Sequence, residues 1–574
     1  MHYLSESNIL LFLFQVAVLL GLARALGEVF RRWGQSPITA EILVGVILGP
    51  TLLGRTLPEV QGMLFPTDAL QQNMLETVAW LGILLFLLRS GLETHFATAW
   101  HQRRQALTLS LCYLPIPMAL AFVPCYFWLA GRLGGEGDRL IAALFVATIM
   151  TISALPVTAR VLQDLKVYRT DLGLLIMSAL TVNDVAGWVV FAMILGVATG
   201  ASVTWTSLAI IPAATLVFTV LCLSVGSRLF DRLLGQFARW NVSEPSGSLT
   251  LVFLTGLLCG AATTGIGIHA LFGFFIAGIL AGESARLTEH TRHIFAEMVE
   301  AVFVPLFFAS IGLKLDFLGN FDVTLVCFIL AVGISGRYLA AYVGSRLAGQ
   351  PRLHSRLIAD AHIPGGEMQI VIGMVALEYD VIGEAMYVAI VFGAVVSSML
   401  TAPLMERRLK RVRKADWLVH LPVDHILLSV EGENRQDVIR ALCTAAAKTE
   451  GVNESVIRAK VMQRENEMTT ALENGLAVPH ARLPRLTHPV VIYGRCARGI
   501  DWNAEDGYPV THLFLVLTPE SDPASQLQVL SGIADTFDKP EIRRKIDGEK
   551  TAADILQLLR AGYDQKRRRR NRKA

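Results

Sequence analysis

RLIAALFVATIMTISALPVTARVLQ, residues 139–163, is an apolar run with an interruption at its centre, Thr151-Ile152-Ser153-Ala154-Leu155-Pro156. At 1.5 Å per residue a helix of this length crosses a hydrocarbon core about 30 Å thick. Pro156 has no amide hydrogen and clashes with the preceding turn, so the backbone here is predicted to unwind. Unwound backbone at membrane depth survives only where it lines a cavity, because hydrocarbon offers it no hydrogen-bond partner. A second run, 356–378, is interrupted by His362-Ile363-Pro364-Gly365-Gly366-Glu367. A matched pair of broken helices points to a transporter site built on inverted repeats. Two ordinary proline kinks are the alternative.

Outward from these runs, apolar spans are predicted at 8–30, 37–54, 73–91, 105–130, 139–163, 171–199, 205–226, 247–266, 268–283, 294–313, 321–346, 356–378 and 384–405, thirteen in all. The chain of 574 residues is 53% hydrophobic and 17% charged, with a mean hydropathy of +0.49. That composition describes a polytopic α-helical membrane protein rather than a soluble multidomain chain. The expected organisation is a transmembrane domain at 1–406, a basic linker at 407–420, a water-soluble α/β domain at 421–563 and a basic, solvated tail at 564–574. The first span lacks a basic leader and a cleavage site, so it reads as retained. Seven cysteines form no C-x-x-C pair, and there is no Walker loop, nucleophile triad or metal-ligand cluster. An enzyme, a cofactor and a nucleic-acid partner are not implied.

Alternate connections hold sixteen basic residues, among them Arg31, Arg103, Arg169, Arg232 and Arg352, against four on the opposite side: Arg55, Arg132, Arg139 and Lys314. The richer side is predicted to be cytoplasmic, which puts the N-terminus outside and the soluble domain inside.

Within the sixth span stands Asn183-Asp184. An aspartate at a helix centre costs at least about 2.5 kcal/mol, so it is predicted to face a wet cavity. There it can hold a proton or a monovalent cation but not both, with Asn183, Thr151 and Ser153 supplying neutral oxygens. The plainer reading makes Asp184 a structural partner of an arginine. Arg337, in the eleventh span, stays charged and needs Asp184 or a helix end as partner, unless it snorkels to the interface. Glu367 is either a cation ligand or a satisfied structural carboxylate, and Pro156, Gly365 and Gly366 shape the breaks.

In order along the chain, Ser36 through Pro50 (SPITAEILVGVILGP), Ser90-Gly91-Leu92-Glu93, the broken fifth span, Asn183-Asp184 and Val304 through Leu313 (VPLFFASIGL) resemble the monovalent cation:proton antiporter-2 family over about 400 residues. That resemblance implies a dimerisation domain, a mobile core with crossing broken helices, elevator-like exchange at Asp184 and a homodimer. Asn183 stands where some members carry a second aspartate, a form associated with electroneutral exchange, and Arg337 stands where relatives often carry lysine. Sodium and potassium are both left open.

The soluble part reads as helices over Asn434–Glu450 and Asn453–Glu465, strands over Val490–Cys496 and His512–Leu517, and further helices from Asp522-Pro523, near Lys539–Asp547 and near Thr551–Arg560. The run from Arg464 to Arg482, with Gly475-Leu476-Ala477-Val478-Pro479-His480-Ala481-Arg482, resembles the fructose/nitrogen type of phosphotransferase enzyme IIA domain. The resemblance makes His480 a candidate phosphoacceptor with Arg482 offsetting phosphate charge, a phosphocarrier protein a partner, and the bacterial inner membrane the location. Gln526 stands where relatives commonly have a second histidine, so a domain that senses by contact is the alternative. The function expected is antiport of Na+ or K+ against protons across a lipid bilayer, under control of this domain. A gated potassium-efflux system of the same fold, or a membrane sensor or phosphocarrier without transport, are the other readings.

Overall fold

The computed structural model describes residues 5–571 except 33–36, 95–102, 135–138, 166, 200–204, 241, 285, 413–416, 473, 505 and 538–539. The chain divides into two compact units. One holds Met1–Thr158, Met177–Gly349 and Ile358–Ala402; the other holds Ala159–Ile176, Gln350–Leu357 and Pro403–Ala574. The division falls inside helices, so Asp171–Thr199, for instance, begins in one unit and ends in the other.

The first unit is helical throughout its spans. Among the described residues, eleven helices are long and apolar enough to cross a membrane. The other two spans predicted from the sequence are present as shorter pieces. That at 268–283 is the thirteen-residue helix Ala270–Gly282, ended at its front by the extended cap residue His269. That at 356–378 is split into Arg352–Ala361 and Gly366–Glu378 by the Pro364-Gly365 break. Aspartates start two of the long helices by taking orphan amides. Asp68 accepts from the Gln71 amide at 3.2 Å, and Asp322 from Thr324 and Leu325 at 2.7 and 3.2 Å.

Glycines decide how closely these helices approach. A Cβ on Gly278 would lie 2.2 Å from the Leu88 carbonyl oxygen, and one on Gly91 would lie 2.2 Å from that of Phe275. Ala270–Gly282 and Ala69–Leu92 therefore touch backbone to backbone, the contact that small residues permit where hydrocarbon supplies no hydrophobic drive.

In the second unit a six-stranded mixed sheet comprises β1 (Ile426–Leu427), β2 (Ala471–Leu472), β3 (Leu476–Ala477), β4 (His480–Leu483), β5 (Val490–Ile500) and β6 (Val510–Pro519), in the order β1-β5-β6-β3-β2, with β4 paired to β6. β5 and β6 are antiparallel, whereas β1, β3 and β4 run parallel to their neighbours β5 and β6. Strand β6 is buried along nearly its whole length because both faces are covered. Helices Arg435–Glu450 and Glu454–Glu467 pack Val438, Leu442, Ile457 and Val461 on one side, and the helices after Pro523 pack Ile533, Phe537, Ile555 and Leu559 on the other. Asn434 and Asn453 cap the first two.

Two boundaries differ from the sequence reading. Of the linker expected at 407–420, the first part continues the helix Glu384–Val412, and Trp417 and Leu418 are already core, Trp417 lying edge-on to Phe514 at 5.7 Å. Residues 413–416 lie outside the described ones. The basic block expected as a solvated tail continues the helix Ala552–Asn571, whose buried Ile555 and Leu559 anchor it from the front.

His512 on β6 is packed against Tyr493 and Phe537, its Nδ1 2.8 Å from the Tyr493 hydroxyl. Burial pushes its imidazole down from an ordinary value of 6.5 to about 4, against the opposing pull of Asp547. The folded ring is neutral, so its contribution to stability is complete above the unfolded value and is lost as pH falls from about 6.5 towards about 4. Thermal unfolding followed across that window should show a falling midpoint, with a shallower fall in His512→Asn. In the membrane unit, Gly278→Val should cost about 1–3 kcal/mol by forcing the two helices apart, measured as a lower unfolding temperature in detergent.

Candidate functional site

The two breaks meet. The first separates the half-helices Arg139–Thr151 and Leu155–Asp164, with Pro156 in the first turn of the second, where its missing amide costs nothing. The second separates Arg352–Ala361 from Gly366–Glu378. Across the crossing the Ala154 amide donates to the Pro364 carbonyl at 2.9 Å. Gly366 has φ +56°, and a Cβ there would lie 2.0 Å from the Cβ of Ala154, so the approach requires glycine twice over. Gly365 is equally tight, since a Cβ would lie 2.6 Å from Nη1 of Arg337, and its amide donates to Ser397 Oγ at 3.1 Å.

Helix ends created by the breaks carry unsatisfied backbone groups, and named side chains take them up. Arg337, only 1% exposed inside Val323–Leu347, donates through Nη1 to the Ile152 carbonyl at 3.0 Å and to Gln369 Oε1 at 3.2 Å, and through Nε to the Gly333 carbonyl at 2.6 Å. Of the partners the sequence offers Arg337, the helix end is the one it takes, and burial excludes the snorkelling alternative. A fixed positive charge there opposes the negative end of the half-helix Arg139–Thr151. Tyr113 donates to the His362 carbonyl at 3.0 Å, and Thr158 to the Ala361 carbonyl at 2.8 Å.

Beside the crossing runs Asp171–Thr199. Its Gly187 packs on the first break, where a Cβ would lie 3.1 Å from Ile152 Cγ1. Asn183 and Asp184, each 1% exposed, have no hydrogen-bond partner for any side-chain polar atom. Ser153 Oγ and both carboxylate oxygens of Glu367 are likewise buried without a side-chain hydrogen-bond partner. Thr151 Oγ1 donates to the Thr148 carbonyl at 2.7 Å and keeps its lone pairs. Buried polar groups without partners are uncommon, and apart from Asn183 Nδ2 this set consists of oxygens.

Two clefts reach opposite ends of the half-helix Gly366–Glu378. One touches Gly366, Glu367 and Ile370 and faces Ile38, Thr39 and Ile42, with room for roughly one water molecule. The other touches Met374, Leu377 and Glu378 and faces Glu76, Trp80 and Lys314, with about 210 Å³.

The second unit has its own polar centre. His480 opens β4, and its Nδ1 lies 2.8 Å from the Val478 carbonyl, so Nδ1 carries the proton and Nε2 is the free nitrogen. Arg482, two residues on, donates through Nε to Gln526 Oε1 at 2.8 Å. Asp171 lies against both, its Oδ1 3.4 Å from His480 Nε2 and its Oδ2 3.2 Å from Arg482 Nε. Arg464 Nε lies 3.0 Å from Asp171 Oδ1. Glu465 is structural: buried, it accepts from the Thr470 amide at 3.1 Å and from Trp502 Nε1 at 2.8 Å. Asp171 and Gln369 are the residues that the sequence reading passes over. One looks like an ordinary acidic helix start, the other is a single amide in an apolar span.

Arg337→Met should leave the Ile152 carbonyl and Gln369 without their donor, at about 1–3 kcal/mol, read as a lower unfolding temperature of the full chain.

Residues 16–407 match the family described as sodium/hydrogen exchanger, transmembrane, and residues 420–562 the family described as phosphoenolpyruvate-dependent sugar phosphotransferase system, EIIA 2. A Na(+)/H(+) antiporter of Synechocystis, NhaS4, is 28% identical over 406 residues, which are 70% of this chain and 98% of that one. The K(+)/H(+) antiporter 1 of Saccharomyces cerevisiae is 27% identical over 416 residues, 71% of this chain and 47% of that one, so the chain spans about half of that relative's length. In fold, the transmembrane part is similar to the solved sodium proton antiporter MjNhaP1 of Methanocaldococcus jannaschii, with a TM-score of 0.54 at 14% identity over 70% of this chain and 99% of that one. The chain thus belongs to the sodium/hydrogen exchanger family of cation/proton antiporters, and it carries an EIIA-type domain behind its membrane helices.

Proposed function

We propose that this protein exchanges a monovalent cation for protons at Asp184 by elevator-like alternating access. The observation that carries the reading is the buried oxygen set of Asn183, Asp184 and Ser153, all without hydrogen-bond partners, beside the crossing of two broken helices. A bare carboxylate in such surroundings is strongly driven to take up a positive charge, and a proton and a cation compete for the same oxygens. Arg337 supports this role from a distance. Its charge is held on helix-end carbonyls, so it offsets the dipole of the half-helix and leaves Asp184 free for its ligand. Thr151 is a further neutral oxygen, and Glu367, which lines the narrow cleft, is a second acid.

Alternating access has a physical basis in the two unequal clefts at opposite ends of Gly366–Glu378. Movement of the crossing helices as a body would narrow the wide cleft and open the other, carrying Asp184 from one side to the other. In this reading thirteen crossings form two inverted repeats, the N-terminus lies outside, and the EIIA-type domain lies in the cytoplasm of a bacterium, beneath the inner membrane. The protein works as a homodimer. Relatives carry the names of Na+/H+ and of K+/H+ antiporters, so both ions are candidates. The EIIA-type domain regulates the flux, with His480 as phosphoacceptor towards a phosphocarrier protein; the free Nε2 and the adjacent Arg482 support that role.

Vesicles containing the full chain and a pH dye, pulsed with sodium or potassium, test the proposal. One of the ions should move protons in the wild type, and Asp184→Asn should respond no more than protein-free vesicles. Cation-driven proton movement that persists in Asp184→Asn would overturn exchange at this single site.

A further inference from the structure

The surroundings of His480 form an anion receptor whose occupant belongs to the chain itself. Asp171 begins the helix Asp171–Thr199, yet the cap is made by its neighbour, since Thr170 Oγ1 accepts from the Gly173 amide at 3.1 Å. The Asp171 carboxylate instead accepts from Arg464 Nε at 3.0 Å, forms an ion pair with Arg482 at 3.2 Å, and faces His480 Nε2 at 3.4 Å. Both guanidinium groups have further partners. Arg464, with its side chain 7% exposed, also donates to the carbonyls of Met468 at 3.0 Å and Arg169 at 2.6 Å, and Arg482 donates to Gln526.

Two immobilised guanidinium groups aimed at one point are the arrangement that binds a planar carboxylate or a tetrahedral phosphate. This one has capacity to spare. Beyond the atoms on Asp171, Nε2 of Gln526 is buried and has no hydrogen-bond partner. A carboxylate brings two oxygens, whereas a phosphate-class anion brings three or four.

We infer that this pocket takes a phosphate-class dianion, free or carried on His480 Nε2, and that Asp171 is its built-in competitor. Both anions need the same two guanidinium groups, and a phosphoryl group on Nε2 would stand where the Asp171 carboxylate stands. When the dianion enters, Asp171 leaves. Asp171 and Asp184 lie on one continuous helix, about 20 Å apart along its axis. Holding Asp171 therefore restrains the helix that carries Asp184, and releasing it frees that helix to move. This last step rests on the exchange reading of Asp184; the competition in the pocket does not.

Hydrogen–deuterium exchange of the full chain in lipid nanodiscs reads the competition directly, at peptides covering 167–176 and 478–484. Asp171→Asn should expose both segments to faster exchange. Phosphoramidate on the wild type should do the same while adding one phosphoryl mass: an Nε2–P bond forms at His480 as the donor's P–N bond breaks, and the departing nitrogen takes a proton from water to leave as ammonia. If inorganic phosphate alone produces the change without added mass, the receptor's ligand is the free anion. Unchanged protection in Asp171→Asn, or a wild type that responds to neither reagent, overturns the competition. In dye-loaded vesicles Asp171→Asn should exchange about 5-fold to 100-fold faster than wild type, the range of an ordinary coupling between sites. An unchanged rate despite lost protection overturns the restraint on the helix. No exchange by either protein, with protection changing as expected, counts against the antiport reading and leaves the receptor standing.

Discussion

The hydrogen bond from the Ala154 amide to the Pro364 carbonyl ties together two spans at the points where each has stopped being a helix. Hydrocarbon cannot solvate a broken helix, so every freed backbone group at that depth must find a protein partner. Much of the surrounding chemistry follows from that demand. Arg337 takes the Ile152 carbonyl, Tyr113 takes that of His362, Thr158 that of Ala361, and Ser397 receives the Gly365 amide. Gly366 meets it in another way, by having no side chain where Ala154 comes within contact.

Against this background of satisfied backbone, the unsatisfied side chains stand out. The same fold that finds donors for the carbonyls of Ile152, Ala361 and His362 leaves Asn183, Asp184, Ser153 and Glu367 without any. Packing forces are not at fault, since Gly187 and Trp188 on the same helix are well seated, Trp188 stacked on Phe275 at 5.5 Å. On the exchange reading proposed above, bare carboxylates within a satisfied backbone are arranged for a mobile ligand rather than for rigidity. The EIIA-type domain makes the opposite choice at Glu465, a buried carboxylate tied down by Thr470 and Trp502.

Charge pairing follows a similar division. Arg337 is held by carbonyl oxygens of the backbone and of Gln369, whereas Arg464 and Arg482 converge on the Asp171 carboxylate. The long helix Asp171–Thr199 touches both arrangements, with an acid at its first residue and another in its middle.

Membrane fold, the two breaks and the acid between them were legible in the sequence because each rests on local chemistry: span length, the missing amide of Pro156 and Pro364, and the cost of an aspartate in an apolar run. The helices that follow Asn434 and Asn453 and the central strands of the sheet were legible for the same reason. What the tertiary structure alone decided are the choices among distant partners. Sequence offered Arg337 either Asp184 or a helix end, and only the crossing geometry put the Ile152 carbonyl within 3.0 Å. Asp171 read as an ordinary helix start because nothing within its own turn reveals that Arg464, His480 and Arg482, some three hundred positions away, close around it. Helix starts and breaks are set by a residue and its neighbours, whereas pairings across such separations exist only once the chain has folded.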